Sequence, residues 1–196
     1  WFLATYVMVE SRKGVSSNQL KRMLGVSYKT AWYLSHRIRA AMGEIEREPL
    51  SGVVEMDETY IGGKSKAPKR TDGLKGLPHG YNPRADKVMV LGVIERGGEL
   101  RMNVHKRRDR ETIDGFIAVL LAAAAAAIYT DQAPVYHHLT DDLTIHESVN
   151  HAKEEWVRGD VHTNTVESAW SLLKRSIIGS YHQLSEHHLQ AYLDEM

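Results

Sequence analysis

The sequence predicts an α/β chain in two parts, a helical module over residues 1–47 and a strand-led domain over residues 48–196. Three observations carry this. Apolar residues recur three and four apart through the first part, the period of a helix. The second part runs strand, strand, strand, helix, strand, helices, read from β-branched and helix-forming stretches between Gly and Pro punctuation. Finally, 42% apolar and 26% charged residues in 196 make an ordinary globular balance, enough to bury a core without staples. Cysteine is absent, which excludes disulfides, thiolate-bound zinc, iron–sulfur clusters and a thiol nucleophile. No apolar run reaches about 18 residues, so no membrane span is expected. A chain opening on Trp1 inside an apolar stretch carries no readable leader and is expected to have sequence upstream of it.

Residues 1–10, WFLATYVMVE, read as a buried helix broken at Lys13-Gly14. Ser16 is a helix N-cap, Leu20 and Leu24 share the face that follows, and Gly25 ends it. Ser27 caps a longer helix whose Ala31, Leu34 and Ile38 repeat at helical spacing. Two helices joined through Gly25-Val26-Ser27 form a helix-turn-helix pattern, though an ordinary helical hairpin has the same signature. In the DNA-binding version the early exposed positions of the second helix enter the major groove. Tyr28, Lys29 and Tyr33 stand there, with Arg37 and Arg39 able to meet phosphates.

Residues 43–52 read as a linker, and GVVEMDETYIGG as a strand closing at Gly62-Gly63. Residues 64–86, rich in Lys, Pro and Gly, form a long basic loop. A hairpin follows, with strands at 87–95 and 99–106 about Gly97-Gly98. Asp109 caps a helix over 109–127 that includes six consecutive alanines, Ala122 to Ala127. Ile128-Tyr129-Thr130 is a short strand delivering Asp131, and 132–139 a short helix. Residues 140–163 are mixed and polar, and helices run from Asn164 to about Ile177 and over 185–195.

The net charge is zero, but its distribution is uneven. Residues 1–47 carry eight basic and three acidic side chains, and 64–110 carry thirteen and five. Residues 111–196 carry four and thirteen. Two basic segments can make a local phosphate-binding face on a neutral protein. The acidic last third needs basic neighbours or a divalent cation to offset its repulsion.

Three acids sit where such a cation would be held: Asp57 in the first strand, Asp131 at the end of the fourth, and Glu167 in a late helix. Asn164 and Lys174 fall on the Glu167 face, one turn before and two turns after. Phosphodiester hydrolysis or exchange asks for charge stabilisation at the attacking and leaving oxygens, which two divalent ions about 3.5–4 Å apart provide. Magnesium prefers carboxylates and water. Taken one at a time these residues are ordinary, since a strand Asp is usually a turn or surface residue and Thr163-Asn164 can simply cap the helix. Their joint order is more specific. The eleven histidines show no HExxH pair, so no zinc site is expected.

The stretches GVSSNQLKRMLGVSYKTAWYLSHRIRAAM, VVEMDETYIGGK, IYTDQAPVY and VHTNTVESAWSLLKRSIIGSYHQLSEHHLQAYLDE resemble DDE transposases of bacterial insertion sequences, of the ISXO-like group. They span nearly the whole chain, and MDETYIGGK and HTNTVESAWSLLKR are the specific ones. The resemblance implies a helix-turn-helix module followed by an RNase H-like mixed-sheet catalytic domain. It implies metal-dependent cleavage and strand transfer at element ends. Asp57 and Asp131 would be the first two catalytic acids and metal ligands, and Glu167 the third, with Asn164 a contender because some members carry asparagine there. Two Mg2+ ions, or Mn2+ in their place, would be the cofactor. Lys174 and Arg175 would contact DNA near the site, His162 would approach DNA, and Lys64, Lys66, Lys69 and Arg70 of the basic loop would hold it. The partners implied are transposon-end and target duplexes and a second copy of the chain, in the cytoplasm at the nucleoid. Relatives commonly carry an N-terminal cysteine zinc ribbon, which these residues lack. A DNA-binding relative that no longer cuts, or an RNase H-like nuclease without strand transfer, are the alternatives.

Overall fold

The computed structural model describes residues 1–43, 48–63, 87–106, 108–131, 133–136, 139, 145–150 and 155–196. The helices are α1 (Phe2–Glu10), α2 (Ser17–Leu24), α3 (Tyr28–Gly43), α4 (Arg110–Leu120), α5 (Asn164–Ser176) and α6 (Glu186–Leu193). The strands are β1 (Leu50–Ile61), β2 (Val88–Glu95), β3 (Leu100–His105), β4 (Leu121–Asp131) and β5 (Ile145–Val149). They form one mixed sheet in the order β3-β2-β1-β4-β5. The β1–β2 and β2–β3 pairs are antiparallel, and the β1–β4 and β4–β5 pairs are parallel. The expected α/β chain with a mixed sheet is what forms.

The N-terminal helices are built by their caps. Ser16 Oγ accepts from the Gln19 amide, and Ser27 Oγ accepts from the Thr30 amide. Gly25 closes α2 at φ 66°, a left-handed conformation that glycine adopts without a Cβ clash. Ala4, Val7, Met8, Val15, Leu20, Ala31 and Ile38 bury one another in a core of their own. Helix α1 is not the buried helix expected, because only Ala4, Val7 and Met8 face inward while Phe2 is 95% exposed. Arg39 also departs from expectation: it is 1% exposed and pairs with Glu195 at 2.7 Å. It lies over the Tyr192 ring at 4.0 Å, so it ties α3 to the C-terminal segment instead of meeting phosphates.

Strand alternation sorts β1 and β2 between the two faces of the sheet. Val54 and Met56 join Met89, Leu91 and Val93 on one face, packed against Ile113 and Phe116 of α4. On the other face Val90 meets Val166, Trp170 and Leu173 of α5 and Leu189 and Leu193 of α6.

Two expectations fail in the middle of the chain. The helix predicted over 109–127 stops at Leu120, and the alanine segment belongs to strand β4, paired with β1 and, from Ala127 on, with β5 as well. Alanine's helix propensity is worth only tenths of a kcal/mol per residue, and pairing with β1 overrides it. Strand β5 is not foreseen by the sequence, because IHESV in a polar stretch shows no clear alternation. The short helix expected over 132–139 is a single 3₁₀ turn, Pro134–Tyr136. The basic loop 64–86, with Lys64, Lys66, Lys69 and Arg70, lies outside the described residues, as do His137-His138. Among the described residues no helix is long and apolar enough to cross a membrane.

Candidate active site

The sheet register brings two of the acids together. Glu55 pairs with Tyr129 across the parallel β1–β4 ladder. Two residues further along each strand stand Asp57 and Asp131, on the same face as that pair. Helix α5 crosses this face and adds Glu167. A cleft of about 610 Å³ opens there, lined by Asp57, Asp131, Glu167, Lys174 and Arg175 among others. Asp57, Asp131, Glu167 and two cations from three elements therefore share one opening, which Glu58 also lines, at the C-terminal end of β4, where parallel strands characteristically present their ligand sites.

Asp57 is held from α5. The Trp170 indole Nε1 donates to Asp57 Oδ2 at 2.9 Å. That reach depends on Gly92, the β2 partner of Asp57. A Cβ at Gly92 would lie 2.4 Å from the indole ring. Burial, helped by the Glu58 and Asp131 carboxylates, pushes Asp57 up to about 7, although the indole bond and the Glu58 backbone favour its charged form.

On the opposite face, Glu58 accepts from Arg108 at 2.7 Å and from the Tyr136 hydroxyl. Burial and the Glu58 carboxylate drive the Tyr136 hydroxyl upward, so it stays protonated and remains a donor. This brace holds the strand segment directly behind Asp57.

Glu167 accepts a hydrogen bond from Thr163 Oγ1 at 3.1 Å. Asn164 is exposed, and its carbonyl accepts from Ser168 Oγ. It is not among the residues that line the cleft, whereas Glu167 is. His162 also stands outside that lining, with Nδ1 3.2 Å from Glu55 Oε1. Tyr28, Lys29, Tyr33 and Arg37 lie on α3, and all four are exposed.

The acids that line the cleft offer hard oxygen donors and no sulfur, the set that suits magnesium or manganese. Like charge converging on Asp57 is the imbalance a divalent cation would offset. Among the described residues no three acidic or histidine side chains already stand close enough to enclose an ion.

Sequence reasoning misses Glu55, Gly92, Thr163, Trp170 and the Glu58–Arg108–Tyr136 brace. Two signals point to them: Glu55 stands two residues before Asp57 and so on its face, and Trp170 stands one turn after Glu167.

Residues 49–196 match the ISXO2-like transposase domain. The chain belongs to that family. A relative of this transposase chain in Halobacterium salinarum, an uncharacterized protein in transposable element ISH50, is 34% identical over 202 residues. That match covers 98% of the chain and 66% of the relative, so the chain spans just under two thirds of the relative's length. Solved structures similar to the transposase domain include the simian T-cell lymphotropic virus intasome bound to PP2A regulatory subunit B56 gamma. There the identity is 16% and the TM-score 0.43, over 88% of this chain and 61% of that one. The HTLV-2 integrase catalytic core with magnesium is similar at 15% identity and TM-score 0.39, over 76% and 86%. The pre-cleavage Mos1 transpososome gives 11% and 0.40, over 97% and 69%.

Proposed function

We propose that this chain is the catalytic part of a DDE-type transposase, cutting element ends and joining them to target DNA on an RNase H-like sheet. The observation that carries the proposal is the shared cleft: Asp57, Asp131 and Glu167 converge from β1, β4 and α5, with Lys174 and Arg175 on its wall. Family membership makes this the reaction class to test first.

Asp57, Asp131 and Glu167 would hold two magnesium ions, with manganese as a substitute. Bound there, the ions would activate the attacking oxygen and neutralise the leaving one. Trp170 orients the Asp57 carboxylate, and Thr163 orients that of Glu167. Lys174 and Arg175 hold a phosphate backbone at the mouth of the cleft, by charge and, for Arg, in bidentate fashion. Glu167 is preferred to Asn164 as the third acid because it lines the cleft. Helices α2 and α3 act as a helix-turn-helix that lays Tyr28, Lys29 and Tyr33 against DNA, with Arg37 at a phosphate. Joining two element ends requires at least two copies of the chain.

The test is a strand-transfer assay with a pre-cleaved end of the parent element, a plasmid target and magnesium. Wild type is compared with Asp57→Ala, Glu167→Ala and Asn164→Ala. Joined product that disappears with Asp57→Ala and Glu167→Ala, and persists with Asn164→Ala, is the expected result. Binding without joining by the intact chain would support a DNA-binding relative that does not cut, and nicked product alone would support a plain nuclease.

A further inference from the structure

Glu55 is fully buried, yet its carboxylate is richly bonded. Its Oε2 accepts from the Thr165 amide at 2.8 Å and the Val166 amide at 3.2 Å. Its Oε1 accepts from Thr165 Oγ1 at 2.8 Å and from Arg96 Nε at 2.9 Å. A carboxylate in β1 thus takes two of the orphan amides in the first turn of a helix more than a hundred residues away, where the helix dipole favours negative charge.

The helix's own cap is used differently. Thr163 occupies the N-cap position of α5 and makes no capping bond with its side chain. Its hydroxyl goes to Glu167 Oε1 instead. Glu55 supplies the capping that Thr163 does not, and Thr163 is left to aim Glu167.

The spacing of the attachments matters. Glu55 and Asp57 are two residues apart on one strand face, about 6.6 Å. Val166 and Trp170 are four apart on the helix, about 6 Å. Val166 bonds to Glu55 and Trp170 to Asp57, so α5 is fastened to β1 at two points with matched spacing. Glu167 lies between them. Apolar packing of Val166, Trp170 and Leu173 already binds the helix to the sheet. Packing alone leaves the helix free to slide and turn by a fraction of a residue, and directional bonds to a buried charge do not. Buried ionic groups are a weak source of net stability, and setting register is their best-attested use.

We propose that Glu55 is a positioning residue: it fixes the first turn of α5 on β1 and thereby sets where Glu167 stands relative to Asp57. The inference deepens the proposed function, and only the metal and turnover parts of its test rest on that reading.

The test uses the full chain as wild type, Glu55→Gln and Glu55→Asp, each checked for folding by circular dichroism. The first measurement is the 15N–1H resonance of the Trp170 indole, assigned with Trp170→Phe, in the absence of metal. The second is Mn2+ binding by calorimetry, and the third is kcat and KM for strand transfer. Glu55→Gln is expected to move the Trp170 resonance and speed its solvent exchange about tenfold or more. It should weaken Mn2+ binding and lower kcat by about 10–100-fold, the range for partners that orient metal ligands, with KM for DNA within about twofold. A folded Glu55→Gln with wild-type indole resonance, Mn2+ affinity and kcat, and only a lower Tm, would overturn the proposal. If Glu55→Gln does not fold, Glu55→Asp, which keeps the charge but shortens the reach, decides by the same readouts. If the wild type binds no Mn2+, the functional reading fails, and the indole resonance still decides whether Glu55 sets the helix.

Discussion

Substituting Gly92 by alanine tests the geometry of the Asp57 end of the site without touching an acid. A Cβ at Gly92 would stand 2.4 Å from Trp170 Cη2 and 2.7 Å from Cζ2. Ordinary carbon contact begins about 1 Å further out, so the indole must retreat by about that distance. A shift of 1 Å takes the Nε1–Oδ2 bond from 2.9 Å to beyond any useful hydrogen-bond length. Two costs follow. Overpacking is worth about 1–3 kcal/mol, and a lost hydrogen bond to a charged group about 1.5–3 kcal/mol. Because Asp57 is largely protonated below pH 7, the lower half of that total, about 2.5–4 kcal/mol, is expected. For a chain of this length that lowers Tm by roughly 5–16 °C. The assay is thermal unfolding of Gly92→Ala in wild-type and Trp170→Phe backgrounds. Phenylalanine lacks the outer indole atoms, so the alanine should cost little once Trp170 is replaced, giving a coupling above about 1 kcal/mol. An equal cost in both backgrounds would refute the contact as the reason for the glycine.

Other consequences are open to measurement. The folded-state pKa of Asp57 near 7 lies above its unfolded value, so its contribution is fully present below about pH 4 and is lost as pH rises through 7. Metal-free protein should therefore lose stability across that window, by a few kcal/mol at most, and the gain in Tm from Mg2+ should be larger at pH 8 than at pH 5.5; a metal effect independent of pH would contradict this. Asp57→Asn should stabilise the metal-free chain at pH 8, leave it almost unchanged at pH 4, and abolish strand transfer. Arg39→Ala strands Glu195 without its buried partner and should cost about 3–5 kcal/mol in chemical unfolding. Lys174→Ala should weaken binding to all duplexes alike and reduce the slope of log K against log salt by about one, measured by fluorescence anisotropy.

What the sequence reveals follows the length scale of the interaction. The caps at Ser16, Ser27 and Asp109 are set by residues three apart, and each is legible in the local sequence. Asp57, Asp131 and Glu167 are ordinary one at a time, and only their joint order on the chain points to the one cleft they line. Strand β4 reads as helix because its alanines have a local preference that its neighbours overrule, and no local pattern announces the neighbours. Arg39 misleads for a related reason. An arginine on an amphipathic helix looks like surface, and its partner Glu195 is 156 residues away. Glu55 escapes notice because a buried carboxylate and an exposed one are the same letter. Only the arrival of α5 distinguishes them.

The strand order has a consequence for how the molecule comes into being. Strands β1, β2 and β3 are neighbours in sequence and in the sheet, joined by antiparallel pairing that needs only local closure. Strands β4 and β5 add to the other side of β1 in parallel, which demands a crossover and much longer loops. Until they dock, β1 has an open edge that displays unpaired amides and carbonyls to any strand nearby, including one from another nascent copy. Asp131 reaches Asp57 through that docking, so the cleft does not exist in a chain that has paired only β1 to β3. The step that hides the sticky edge is also the one that assembles the acids, and a chain still prone to mispairing has no complete acid cluster.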